Sequence, residues 1–210
     1  LEPQGSLYAH GIATLAVCEA YAMALQAREG GEEDVSPSED GKKADVRAIQ
    51  RAAGQNLGAL AAAAQGGIYF IAYAQDDAGG GWRYSPKMPG DTSVVGWQVM
   101  ALKSGHLSRL QVNPATVLGA NKFLDRVSSE SGSRYGYTDP GVGTAATTAV
   151  GLLCRMYMGW KKDNAGLQLG QSLLDQQGPA PNNMYYNYYA TQVMFHMTGG
   201  EGPVWKKWNE

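Results

Sequence analysis

Residues Phe70–Leu102 read FIAYAQDDAGGGWRYSPKMPGDTSVVGWQVMAL. This is the end of one apolar helix, a glycine-rich turn carrying aromatics, and the start of a second apolar helix. The plan returns later in the chain. FIAYAQDDAGGGWRY (Phe70–Tyr84) lies over FLDRVSSESGSRYGY (Phe123–Tyr137) without a gap, at an offset of 53 residues. Phe70 then meets Phe123, Gly79 meets Gly132, Trp82 meets Tyr135 and Tyr84 meets Tyr137. A repeat of this length marks stacked supersecondary units, none of which can bury its apolar face alone.

Outward from that stretch, the chain alternates two kinds of helix. Residues 7–25, 92–103, 144–158 and 186–197 are apolar or small nearly all round. Residues 48–74, 114–127 and 167–176 are expected to be amphipathic. A helix apolar on every side is an inner element, and a one-sided helix an outer one. Smaller echoes support the alternation. Phe123-Leu124-Asp125 matches Leu173-Leu174-Asp175, and Gln98-Val99-Met100 matches Gln192-Val193-Met194. Inner and outer helices alternating every 40 to 55 residues predict an all-α fold, an α/α toroid built as an incomplete ring of helical hairpins. Asp91 is placed as the N-cap of the helix at Thr92, and Gly105 as its end. Arg28–Arg47 holds seven acids and four bases with Gly and Pro, and reads as an acidic surface insertion in a single domain spanning residues 1–210. An open ring and a start at LEPQGSLYAHG suggest part of a longer protein.

The totals exclude several function classes. The 210 residues suffice for one domain with a sizeable core, and a net charge of −2 supplies no basic field for nucleic acid or anionic lipid. No uninterrupted apolar run reaches the ~18–20 residues of a membrane span, and no signal peptide is visible. Cys18 and Cys154 sit inside apolar helical runs and read as buried hydrophobes. So few cysteines suit a reducing compartment, which favours the cytoplasm. The three histidines, at 10, 106 and 196, have no zinc spacing, so neither a metal nor another cofactor is expected.

Gln75-Asp-Asp-Ala-Gly-Gly80-Gly-Trp82 is Q-x-x-x-x-G-x-W. It resembles the QW motif of squalene and oxidosqualene cyclases, and follows an apolar helix end as it does there. Outside the acidic insertion, the chain is similar to the prenyltransferase and squalene-oxidase repeat group, and most similar to repeat proteins of that group from planctomycete bacteria. The resemblance implies structural roles for Gln75 and Trp82, the Gln amide bonding backbone and the Trp ring stacking nearby. It implies less about activity. Where the cyclases carry D-x-D-D followed by Thr, this chain has Met88-Pro89-Gly90-Asp91-Thr92, with glycine in place of the proton donor. The zinc ligands of protein prenyltransferases have no counterpart. The Cys-Gly-Glu-Gln run of thioester proteins is not matched by Val17-Cys18-Glu19-Ala20.

In such a toroid the turns entering the inner helices gather at one end of a central cavity, and here those turns are aromatic. Tyr8, His10, Trp82, Tyr84, Trp97, Gln98, Tyr135, Tyr137, Tyr185, Tyr186, Tyr188 and Tyr189 are the candidate ligand-lining residues. The first functional expectation is a non-catalytic binding or scaffold domain holding an apolar ligand, isoprenoid by the resemblance, or a protein partner. The alternative is an isoprenoid cyclase or transferase-like enzyme with a relocated acid, for which His10, Asp91 and the Tyr185–Tyr189 cluster are the candidates. A polysaccharide-handling barrel is a third reading. It would need paired carboxylates, and the inner helices offer only Glu19 and Asp91.

Overall fold

The computed structural model describes residues 6–29, 56–141 and 143–210. Eight α-helices lie among them: α1 (Leu7–Glu29), α2 (Leu57–Ala74), α3 (Thr92–Leu107), α4 (Pro114–Val127), α5 (Ala145–Tyr157), α6 (Ala165–Gln177), α7 (Met184–Thr198) and α8 (Gly202–Asn209). The protein is all-α apart from a two-residue hairpin, β1 (Ser128–Ser129) with antiparallel β2 (Arg134–Tyr135), inside the second copy of the repeated turn. The expected insertion at 28–47 falls outside the described residues beyond Glu29, as does the first part of the helix expected over 48–74.

Short polar side chains set the helix starts. Asp91, Asn113, Thr144, Asn164 and Asn183 each accept from a backbone amide in the first turn that follows. Thr144 and Thr147 complete a capping box. Gly199 closes α7 in the left-handed region at φ +77°.

Helices that alternate in sequence become neighbours in space: α1 packs on α3, α3 on α5 and α5 on α7. The intervening helices lie against this row, α2 on α1 and α3, α4 on α3, and α6 on α5 and α7. Eleven of the sixteen residues of α3 are buried, against four of the eighteen of α2. The inner and outer distinction therefore holds at the centre of the row. It is weaker at its ends, where α1 exposes Ile12 and Met23, and α7 exposes Tyr188 and Phe195. Among the described residues, α1 and α7 each have a row neighbour on one side only.

Two expectations are corrected. Gly105 does not end α3, which continues to Leu107. A Cβ at Gly105 would lie 2.8 Å from the Ile68 side chain, so this glycine lets α2 approach closely. The outer helix α2 is not amphipathic: it has no charged residue, and its exposed face carries Ala, Gly, Tyr69 and Tyr73. It is also long and apolar enough to cross a membrane by length and composition, although only 22% of it is buried. Finally, α8 follows the last expected helix and buries Trp208 against Tyr186, ring centroids 6.4 Å apart.

Candidate functional site

The repeated turns work as joints. In the first, the Gln75 amide donates to the carbonyls of Gly80 (2.7 Å) and Thr116 (2.9 Å), tying the turn to the start of α4. Trp82 is fully buried and its indole donates to the Ile71 carbonyl at 2.8 Å. In the second, buried Tyr135 accepts from the Arg155 guanidinium at 3.2 Å, and its ring fills the space left by Gly151. Tyr186 is buried too, its hydroxyl donating to the Gly178 carbonyl and held neutral by burial that pushes its pKa to about 12. Buried Gln98 donates to the Leu7 carbonyl at 2.7 Å, in room that a side chain at Gly11 would occupy. Trp82, Tyr135 and Tyr186 thus leave the expected ligand-lining set. Their polar atoms reach backbone or a buried partner, and their rings have no exposed surface to offer.

His10 stands apart from the other aromatics of that set. Its Nε2 lies 3.2 Å from both the Gly67 carbonyl and the Thr14 hydroxyl, and its ring packs edge-on to Phe70 at 4.8 Å. These contacts bridge α1 to α2, and burial lowers its pKa. It borders a cleft of about 640 Å³ between those two helices, floored by Ala9, Ala13, Gly66 and Gly67.

Asp91 caps α3 through Oδ1, which accepts from the Val94 amide at 3.0 Å and the Ser93 hydroxyl at 2.6 Å. Its Oδ2 is buried without a hydrogen bond, 3.7 Å from Arg83 Nε. Tyr84 and Tyr137, equivalent in the repeat, meet beside it with hydroxyls 3.3 Å apart. Burial, the Tyr84 hydrogen bond and the Asp91 charge push Tyr137 up to about 12.

What remains is one cluster, contributed by the N-terminal turns of α1, α3 and α7. Trp97 is its hub: Tyr188 stacks on it at 5.4 Å, and Tyr189 and Tyr8 meet it edge-on at 5.6 and 6.0 Å. Tyr185 packs on Tyr189 at 5.0 Å. Tyr189 is the buried floor, Tyr188 is exposed, and Tyr8, Trp97 and Tyr185 are half-buried. Three buried polar atoms of these rings lack a hydrogen bond of good geometry: Trp97 Nε1 and the hydroxyls of Tyr185 and Tyr189. The two tyrosine hydroxyls influence one another, and Tyr8 acts on Tyr185, yet neither makes a bond of good geometry. Burial raises both pKa values, so both are neutral hydroxyls at pH 7. Such an arrangement can hold an apolar body against its rings and one hydrogen-bonding group against its floor.

Nothing here forms a glycosidase pair. Glu19 accepts from the Ser104 hydroxyl near the end of α3, while Asp91 caps its start. Thirteen residues of helix separate those anchor points by ~20 Å, well beyond the ~5–9.5 Å of paired catalytic carboxylates. Among the described residues, no three His, Cys, Asp or Glu side chains converge in a way that could hold a metal ion.

Sequence reasoning missed a second group at the opposite ends of these helices: Lys103, Tyr157, Trp160, Lys161, Lys162 and His196 surround one cleft. Its members come from α3, α5, the turn after α5, and α7. The adjacent pair Lys161-Lys162 was the only signal in the linear chain. No family profile, curated protein or solved structure matches this chain.

Proposed function

We propose that the chain is a non-catalytic binding domain, an α/α-toroid segment of the squalene cyclase and prenyltransferase kind. In this reading it takes an apolar ligand carrying a single polar group against Tyr8, Trp97, Tyr185, Tyr188 and Tyr189. The observation that carries it is the convergence of these five rings from three helices, with Trp97 Nε1 and the Tyr185 and Tyr189 hydroxyls buried among them without a hydrogen bond of good geometry. An unsatisfied buried group costs ~1–3 kcal/mol, so native proteins seldom concentrate them without a role. The toroid part of the reading is supported by the two-layered row of helices and by the Gln75, Gly80 and Trp82 joints.

Native mass spectrometry after incubation with squalene and with geranylgeraniol tests this. We expect a stoichiometric adduct, stronger with the alcohol, that Trp97→Ala abolishes while the helical circular dichroism is unchanged. Absence of any adduct, or an adduct indifferent to Trp97→Ala, overturns the binding assignment. Turnover of either compound overturns the non-catalytic one.

A second reading, an isoprenoid cyclase using Asp91, draws on the buried Oδ2 that accepts no hydrogen bond. Its Oδ1 is engaged as the α3 cap, and the turn before it supplies no second carboxylate to share a proton. Asp91→Asn keeps an oxygen for the cap. Loss of an isoprenoid turnover in that variant, with the fold retained, would establish the enzyme.

A further inference from the structure

The missed cleft has a chemistry of its own. Lys103 lies in the last turns of α3, Tyr157 ends α5, Lys161 and Lys162 occupy the turn that follows, and His196 lies near the end of α7. They border a cleft of about 400 Å³. A neighbouring cleft of about 510 Å³ is lined by apolar side chains, chiefly Val99, Leu102, Val112, Val117, Leu118 and Met158. Lys103 and Tyr157 line both, so the clefts meet at those two residues. Each volume falls within the ~300–1,000 Å³ typical of small-molecule sites.

Among the described residues, none of the three lysines has an ion-pair partner. Asp163, the next residue along, is exposed and pairs with none of them. Glu19, the acid on α1 nearest Tyr157, is engaged by Ser104. The field of the cations reaches the imidazole: His196 is driven below its usual pKa by burial, then by Lys162 and Lys103. Lysines near helix ends commonly complement exposed carbonyls. Here backbone amides already serve that purpose. Ser104 and Gly105 accept from Ser108 and Leu110, and Cys154, Arg155 and Met156 accept from Met158, Trp160 and Gly159.

We propose that the joined clefts bind an anionic amphiphile, its carboxylate or phosphate head between Lys103, Lys161 and Lys162 and its hydrocarbon chain along Val99, Leu102, Val117 and Met158. This site uses none of the residues assigned to the aromatic cluster.

Isothermal titration with dodecyl phosphate and with oleate, both below their micellar concentrations, tests it. Inorganic phosphate and dodecyltrimethylammonium are the comparisons. At least one of the two anionic amphiphiles is expected to bind at least about tenfold more tightly than either comparison. Which of them binds identifies the head as phosphate or carboxylate. The Lys103→Gln/Lys162→Gln double variant should weaken binding by at least about tenfold, and Leu118→Gln should weaken the amphiphile but not inorganic phosphate. The His196 ring protons should report an upward shift of its titration when the head is bound. Trp97→Ala should change none of this, so failure of the aromatic site leaves this one standing. The proposal is overturned if the cationic detergent binds equally well, if the double variant binds like the parent with unchanged circular dichroism, or if neither anionic amphiphile binds.

Discussion

Gln75, Gly80 and Trp82 show how one motif divides its work. The two amide hydrogens of Gln75 go to two carbonyls, one being that of Gly80 itself. Gly80 sits at φ +75°, and a Cβ there would stand 2.1 Å from the Gly119 carbonyl oxygen. Gly80→Ala therefore combines left-handed strain with a backbone clash, and should lower stability by more than ~2 kcal/mol in urea unfolding. Trp82→Phe keeps a ring but leaves the Ile71 carbonyl without its donor, at an expected ~1–3 kcal/mol in the same assay. Tyr84→Phe, at an exposed hydroxyl, should fall within ~0.5 kcal/mol. The spacing of these three residues was legible in the sequence because two of the partners are local: Gly80 and Ile71 lie within eleven residues of the side chains that bond them, whereas Thr116 lies forty-one from Gln75. Arg155 was not. Its guanidinium joins Asp125, Asn121 and the Tyr135 hydroxyl, twenty to thirty-four residues away, and nothing in its own helix marks it as buried.

At the scale of elements, the repeat becomes a docking rule. The Leu7 amide at the start of α1 donates to the Tyr84 carbonyl, and the Thr92 amide at the start of α3 donates to the Tyr137 carbonyl, each at 2.9 Å. The two equivalent tyrosines thus hold the first residues of successive row helices. Thr92 adds its buried hydroxyl, which donates to the Gly136 carbonyl at 2.6 Å. Thr92→Val preserves shape and removes that donor. Loss of ~1–2 kcal/mol in a thermal melt is expected, with helix content unchanged below the transition. The outer helices repeat a second device. Asp125 of α4 pairs with Arg155 of α5, and the equivalent Asp175 of α6 pairs with Lys207 of α8. The start of α3 could be read from Asp91, since capping is a contact within three residues. The end of α3 could not, because Gly105 serves contact with Ile68 of another helix rather than termination.

For the molecule as a whole, burial fixes the ionisation of its thiols and phenols. Cys18 and Cys154 are free and fully buried, and desolvation pushes their thiols to about 11 and about 12. Neither should react with Ellman's reagent at pH 8 until denaturant is added, when two equivalents should appear. Tyr137, Tyr157 and Tyr186 are pushed to about 12 from an ordinary value of 10, chiefly by burial, and Tyr185 and Tyr189 are raised as well. The folded state therefore holds phenolic protons that the unfolded chain releases. That contribution is complete below pH 10 and is lost as pH climbs through 10 to 12. Spectrophotometric titration should show Tyr137, Tyr157 and Tyr186 ionising late, together with loss of helix. A single class titrating at 10 with the fold intact would contradict the burial.

The sequence by itself determined most of the helices, the apolar character of the central ones, α3 and α5, and the joints of the repeated turn. Each of these depends on contacts close along the chain or on a periodicity that a linear string preserves. Only the tertiary structure decided which aromatics remain accessible. Trp82, Tyr135 and Tyr186 are absorbed into the joints, while Tyr8, Trp97, Tyr185 and Tyr188 converge from three helices over the buried Tyr189. It also decided that α1 and α7 stay half open and that the lysines at 103, 161 and 162 share a cleft with His196. The physical reason is the same in each case. Burial and electrostatic field belong to the neighbourhood that distant segments build together, and no residue carries them in its own identity.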